Sequence, residues 1–129
     1  VLKNNDKKAA YDRYGHAEGD AALRRLGEHV NSLCQRAGDF AFRVGGEEFG
    51  VITSSGNEED GVAFAELIRT TVKGLKIPNI GSPVGDVLTV SLGVSMVKSN
   101  QGLSPDEIYR IADKRLYEAK QSGRNKTVS

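Results

Sequence analysis

Arg43-Val44-Gly45-Gly46-Glu47-Glu48-Phe49-Gly50-Val51-Ile52 sets two glycines and two acids between two strand-like apolar runs, Phe40 to Val44 and Phe49 to Thr53. The pattern predicts a β-hairpin. Its tip needs φ > 0 at the central positions, which Gly45 and Gly46 supply without steric cost, and their bare backbone lets a ligand come close. Two carboxylates on a small tip suit Mg²⁺, which is held by one or two carboxylates together with substrate phosphates. An ordinary solvated turn has the same composition, so the tip takes its meaning from its surroundings.

Upstream, Leu23, Leu26, Val30, Leu33 and Cys34 recur at helical spacing and predict an amphipathic helix from Asp20 to near Gly38. Downstream, a helix is expected from near Asn57, with Glu58, Glu59 and Asp60 at the positive end of its dipole. It buries Val62, Ala65, Ile68 and Val72 and ends at Gly74. Lys76 to Asp86 carries Pro78, Gly81, Pro83 and Gly85 and reads as a loop. Val90, Leu92, Val94 and Met96 then alternate with Thr89, Ser91, Gly93 and Ser95, the period of a half-buried strand. Ser104-Pro105-Asp106-Glu107 is a capping box that opens a third helix through Ile108, Ile111, Leu116 and Tyr117. Gly123 stops that helix, and Lys126 to Ser129 form a short last strand.

Val1 to Ala10 are polar, lysine-rich and without periodicity. Helix, hairpin, helix, strand, helix is what a ferredoxin-like α/β sandwich leaves when its first strand is removed. The 129 residues, 38% of them hydrophobic, are enough chain for one core and one domain. A net charge of +1 points away from nucleic acid as a partner. No apolar run is long enough to span a bilayer and no signal peptide is visible. The lone Cys34 excludes an internal disulfide and fits a reducing compartment.

Gly45-Gly46-Glu47-Glu48-Phe49 resembles the GGEEF form of the motif that names the GGDEF family of diguanylate cyclases. Three further stretches resemble that family in the same order: Tyr14-Gly15-His16 with Gly19-Asp20, Thr89 to Val94, and Ala112-Asp113-Lys114 leading to Tyr117 through Asn125. The resemblance runs from about Asp12 to Thr127. It implies an α/β palm-type sandwich with a mainly antiparallel central sheet flanked by helices. It also implies a single domain over residues 1–129 that is incomplete at its N-terminus, the first helix and strand being largely missing.

The implied activity joins two GTP molecules into cyclic di-GMP in a homodimer, each subunit presenting one GTP with Mg²⁺ or Mn²⁺. By the resemblance, Glu47 ligates the metal, Glu48 orients or activates the attacking hydroxyl, and Gly45 and Gly46 let the nucleotide lie on the hairpin. Lys120 and Arg124, four apart, would hold the terminal phosphates; helix-dipole compensation is the plainer use of such a pair. Asp20 would accept from the guanine edge, and as a residue it equally suits a helix N-cap. Arg36 and Asp39 fall at the family's inhibitory site for product cyclic di-GMP, although an Arg-x-x-Asp is also a common surface ion pair.

The match decays upstream of Tyr14. Counting back without gaps from His16 puts Lys3 at the family's metal aspartate and Tyr11 at its guanine-contacting asparagine. A lysine beside a divalent ion repels it by roughly 8 kcal/mol at 4 Å and an effective dielectric of 20. An insertion or omission is therefore expected over a replaced ligand. The alternative function is a degenerate module that binds cyclic di-GMP or GTP without catalysis. Either form is expected in the cytoplasm, under an upstream sensor or receiver domain.

Overall fold

The computed structural model describes the backbone of residues 2–4, 7–54, 56–78, 86–98 and 101–129, with side chains from Asp20 onward. The elements run β1 (Leu2–Asn4), α1 (Lys7–Leu33), β2 (Phe40–Gly45), β3 (Glu48–Ile52), α2 (Glu58–Gly74), β4 (Val90–Gly93), α3 (Pro105–Gln121) and β5 (Thr127–Val128). The sheet order is β2-β3-β1-β4-β5. β1 is antiparallel to both neighbours and β5 is parallel to β4.

The polar N-terminal residues thus supply the centre of the sheet. Three residues suffice because both edges of β1 are paired: Lys3 stands opposite Glu48 on β3 and Ser91 on β4. A cavity of about 840 Å³ is lined by Gly50, Val51 and Ile52 of β3 and by Leu92, Gly93 and Val94 at β4.

α1 starts thirteen residues earlier than its periodicity indicated and runs through Tyr14-Gly15-His16 and Gly19. Leu23, Leu26 and Val30 are buried in a core with Ala65, Ile68 and Val72 of α2 and Phe49, Val90 and Leu92 of the sheet. That packing outweighs the cost of about 1 kcal/mol for each glycine in a helix interior. α2 begins as expected, with the Asn57 side chain accepting from the Asp60 amide at 2.8 Å. α3 has the expected reciprocal capping box between Ser104 and Glu107.

β4 is buried on both faces rather than one. Its apolar positions meet α1 and α2, and its small ones, Ser91 and Gly93, lie under α3. A Cβ at Gly93 would stand 2.0 Å from the carbonyl oxygen of Ala112 and 2.4 Å from the amide of Leu116, so the bare glycine is what admits the helix. Tyr117, placed by its spacing on the inner face of α3, is exposed instead, while Ala112, Leu116 and Ala119 pack inward.

Candidate functional site

The hairpin closes as predicted, with a register shift between Arg43 and Gly45 that leaves Gly46-Glu47 as the turn before Glu48. Only one of the two glycines needs the left-handed region: Gly46 has φ +53°, whereas Gly45 sits in the strand. The turn is braced by Arg43, whose Nε donates to the Gly46 carbonyl at 2.7 Å and whose Nη2 donates to the same oxygen. Nothing lies within 4 Å of a Cβ built on either glycine, so this backbone is open to a ligand.

Glu47 and Glu48 are half-buried at this tip. Among the described residues no group of three or more His, Cys, Asp or Glu is placed to hold an ion. Glu47 and Glu48 are adjacent carboxylates, the oxygen chemistry a hard divalent cation takes together with water and phosphate oxygens. Glu48 is held from below by the Tyr109 hydroxyl of α3, which donates to its Oε1. That bond, reinforced by burial and by the nearby carboxylates, pushes the Tyr109 pKa up to about 12.

The raised value gives a prediction with a definite sign. Stability from this bond is fully present below the ordinary phenol value and is lost as pH rises through about 12. Ultraviolet titration should show one late tyrosinate transition that disappears in Tyr109→Phe and moves back toward the ordinary range in Glu48→Gln.

Asp20 is not an N-cap: it lies well inside α1. It lines a cavity of about 510 Å³ with Leu23, Arg24, Gly27, Arg43 and Phe49. Arg43 and Phe49 flank the hairpin tip, so the acid expected to meet guanine shares a cavity with two residues of the hairpin. Gly27 makes room for this, since a Cβ there would stand 3.1 Å from the Phe49 ring.

Arg124 lies in a turn that wraps the end of α3, where Gly123, Arg124 and Asn125 have φ of +122°, +62° and +46°. Two consecutive non-glycine residues in that region store strain, a feature that collects at functional sites. The turn is pinned by the Arg124 amide donating to Ala119 O at 2.9 Å, the Asn125 amide to Ser91 Oγ at 3.2 Å, and Arg69 Nη1 to Asn125 Oδ1 at 3.2 Å. Lys120 sits one turn earlier, in the last turn of α3. Arg124 Nε is buried without a hydrogen-bond partner among the described residues.

Glu48, Lys3 and Ser91 pair in one row across the sheet, and Asn125 continues it. Three strand spacings separate the ends, about 15 Å. The acidic tip and the cationic turn therefore occupy the same end of the sheet, although no described cavity joins them. The same row places Lys3 directly alongside the tip. α1 is continuous from Lys7 through His16. Tyr11 lies in α1; its side chain is outside the described residues.

Arg36 and Asp39 do pair, with Nε to Oδ2 at 3.5 Å, just before β2. Thr53 joins them, donating to Asp39 Oδ1 at 2.6 Å. That bond, with the Arg36 amide and guanidinium, holds the Asp39 carboxyl below its ordinary range. Neither Thr53 nor Tyr109 was singled out in the sequence, where no local pattern ties them to partners so distant in the chain.

A two-helix layer on one face of a mainly antiparallel sheet, a third helix on the other, and an acidic hairpin tip at one end define a palm-type nucleotide-site architecture. The profile of the family described as "Diguanylate cyclase, GGDEF domain" matches residues 2–126, and the chain belongs to that family. It is 40% identical over 121 residues to the "Probable diguanylate cyclase DgcT" of Escherichia coli (strain K12), covering 94% of this chain and 26% of that protein. Among solved structures it is similar to the active GGEEF domain of a diguanylate cyclase from Vibrio cholerae, with TM-score 0.83, 28% identity, and 98% and 78% of the two chains covered. It is also similar to the GGDEF domain of DgcB from Caulobacter crescentus in complex with c-di-GMP, with TM-score 0.85, 29% identity, and 98% and 73% covered. The chain spans about a quarter to a third of the length of the curated relatives it matches.

Proposed function

We propose that this domain condenses two GTP into cyclic di-GMP and two pyrophosphates, as a homodimer in which each copy presents one GTP. The observation that carries the reading is that the acidic tip and the Arg124 turn share one end of the sheet, with the Asp20 cavity against Arg43 and Phe49 of the hairpin. The 3′-oxygen of one GTP attacks the α-phosphorus of the other, the bond to pyrophosphate breaks, and the hydroxyl proton passes to Glu48. A second, symmetrical transfer closes the ring.

Each side chain has a part in that step. Glu47 would hold the divalent cation, Mg²⁺ or Mn²⁺, whose contribution when bound is to offset charge on the phosphates. Asp20 accepts the paired N–H donors of guanine, which adenine lacks. Gly45 and Gly46 admit the nucleotide to the hairpin, and Lys120 and Arg124 clasp its terminal phosphates. Positioning and charge offset are the main contributions a protein makes to phosphoryl transfer. Arg124→Ala and Lys120→Ala are expected to weaken GTP binding by about tenfold each, the size of one charged hydrogen bond, in a calorimetric titration.

Arg36 and Asp39 serve product inhibition, by binding cyclic di-GMP. Residues 1–129 make up a single domain in this reading. Among the described residues no helix is long and apolar enough to cross a membrane. We place the domain in the cytoplasm, under an upstream sensor or receiver.

One observation favours a second reading. Lys3 is in register with Glu48, and the ungapped count sets a lysine at the family's metal-aspartate position, which suits a module that binds cyclic di-GMP without catalysis. Chromatography of the products from GTP and Mg²⁺ separates the two: new cyclic di-GMP supports the cyclase, and unchanged GTP with retained cyclic di-GMP binding supports the module.

A further inference from the structure

The Arg36–Asp39 pair is built more closely than an exposed ion pair requires. The Asp39 side chain is 2% exposed and that of Arg36 is 62% exposed. The covered carboxylate accepts from the Arg36 amide at 3.2 Å and from the Thr53 hydroxyl at 2.6 Å. The same Thr53 oxygen accepts from Arg36 Nη2 at 2.8 Å, closing a ring of hydrogen bonds between the loop before β2 and the end of β3. Gly38 lets the two segments meet, because a Cβ there would lie 3.0 Å from Ser54 Oγ.

We infer that Thr53 is the positioning residue of the Arg36–Asp39 site: its hydroxyl, bonded to both side chains, fixes the Asp39 carboxylate and the Arg36 guanidinium relative to one another before cyclic di-GMP binds. This rests on the product-inhibition reading. A long arginine immobilised before binding loses less rotamer freedom on binding. Its planar fork meets a phosphate or a base only in a limited range of orientations.

The test is calorimetric titration of cyclic di-GMP into the wild type, Arg36→Ala, Thr53→Val, Thr53→Ala and Thr53→Ser, with a melting curve for each. Two hydroxyl-free variants are included so that one folded protein is in hand. Thr53→Val and Thr53→Ala should bind about tenfold more weakly. Thr53→Ser, which keeps the hydroxyl, should stay within about twofold of wild type, and Arg36→Ala should not bind. A purely structural threonine would lower melting without a serine rescue of affinity, and that result overturns the inference. Loss of binding in Arg36→Ala with wild-type affinity in Thr53→Val overturns the role of Thr53 alone. A wild type that does not bind cyclic di-GMP overturns both this inference and the product site beneath it.

Discussion

Glu47→Ala is expected to abolish cyclic di-GMP formation while leaving the melting temperature close to that of wild type. Glu47 stands in the two-residue turn at the hairpin tip, outside the core, so its removal opens no cavity. What it removes is one of the two adjacent carboxylates of the tip, Glu47 and Glu48. Loss of a preorganised charge at a reacting phosphoryl group lowers turnover by about 100-fold to 1,000-fold. Glu47→Gln should fail nearly as badly, because an amide keeps the shape and loses the charge. Turnover measured by pyrophosphate release is the check, and a Glu47→Ala variant within about tenfold of wild type would remove this residue from the site.

The largest expected effect on stability is at Gly93. Gly93→Val would place side-chain carbon against the backbone of α3, whose Ala112 carbonyl oxygen lies 2.0 Å from a Cβ at that position. Backbone on both sides cannot yield as a flexible side chain would, so α3 must lift from β4. Overpacking of this kind costs on the order of 3 kcal/mol or more, a large fraction of the stability of a small domain. Because Ser91 and Asn125 link β4 to the turn that carries Arg124, partial unfolding should also release GTP. Chemical denaturation should show a lowered midpoint or no folded baseline. By contrast Gly74→Ala, with nothing within 4 Å of its Cβ, should be nearly neutral.

These two positions also show which parts of the molecule could be read in advance. The hairpin, the Asn57 cap and the Ser104 capping box follow local rules, and each appears where its residues indicated. The central strand does not: Leu2-Lys3-Asn4 has no pattern of its own and is a strand because two neighbours pair with it. Likewise the helical periodicity began only at Asp20, and α1 runs back through Gly15 and Gly19 to Lys7. β4 looked half-buried because Ser91 and Gly93 are small, when small was what let α3 cover them.

The site divides in the same way. Its charged residues are proposed from the order of motifs, and the fold sets Asp20 in a cavity with Arg43 and Phe49 of the hairpin and ties the Arg124 turn to β4. Their supports were not legible. Tyr109 reaches Glu48 across 61 positions and Arg69 reaches Asn125 across 56, contacts that exist only once the sheet is assembled. Asp20 lost its alternative as a cap only when α1 proved to begin at Lys7.

The most direct measurement is single-turnover conversion of α-labelled GTP with Mg²⁺ at rising protein concentration. The account predicts cyclic di-GMP as the product, at a rate that climbs with concentration as two copies meet. Label that stays in GTP at every concentration, from a folded protein that still binds the nucleotide, would contradict it.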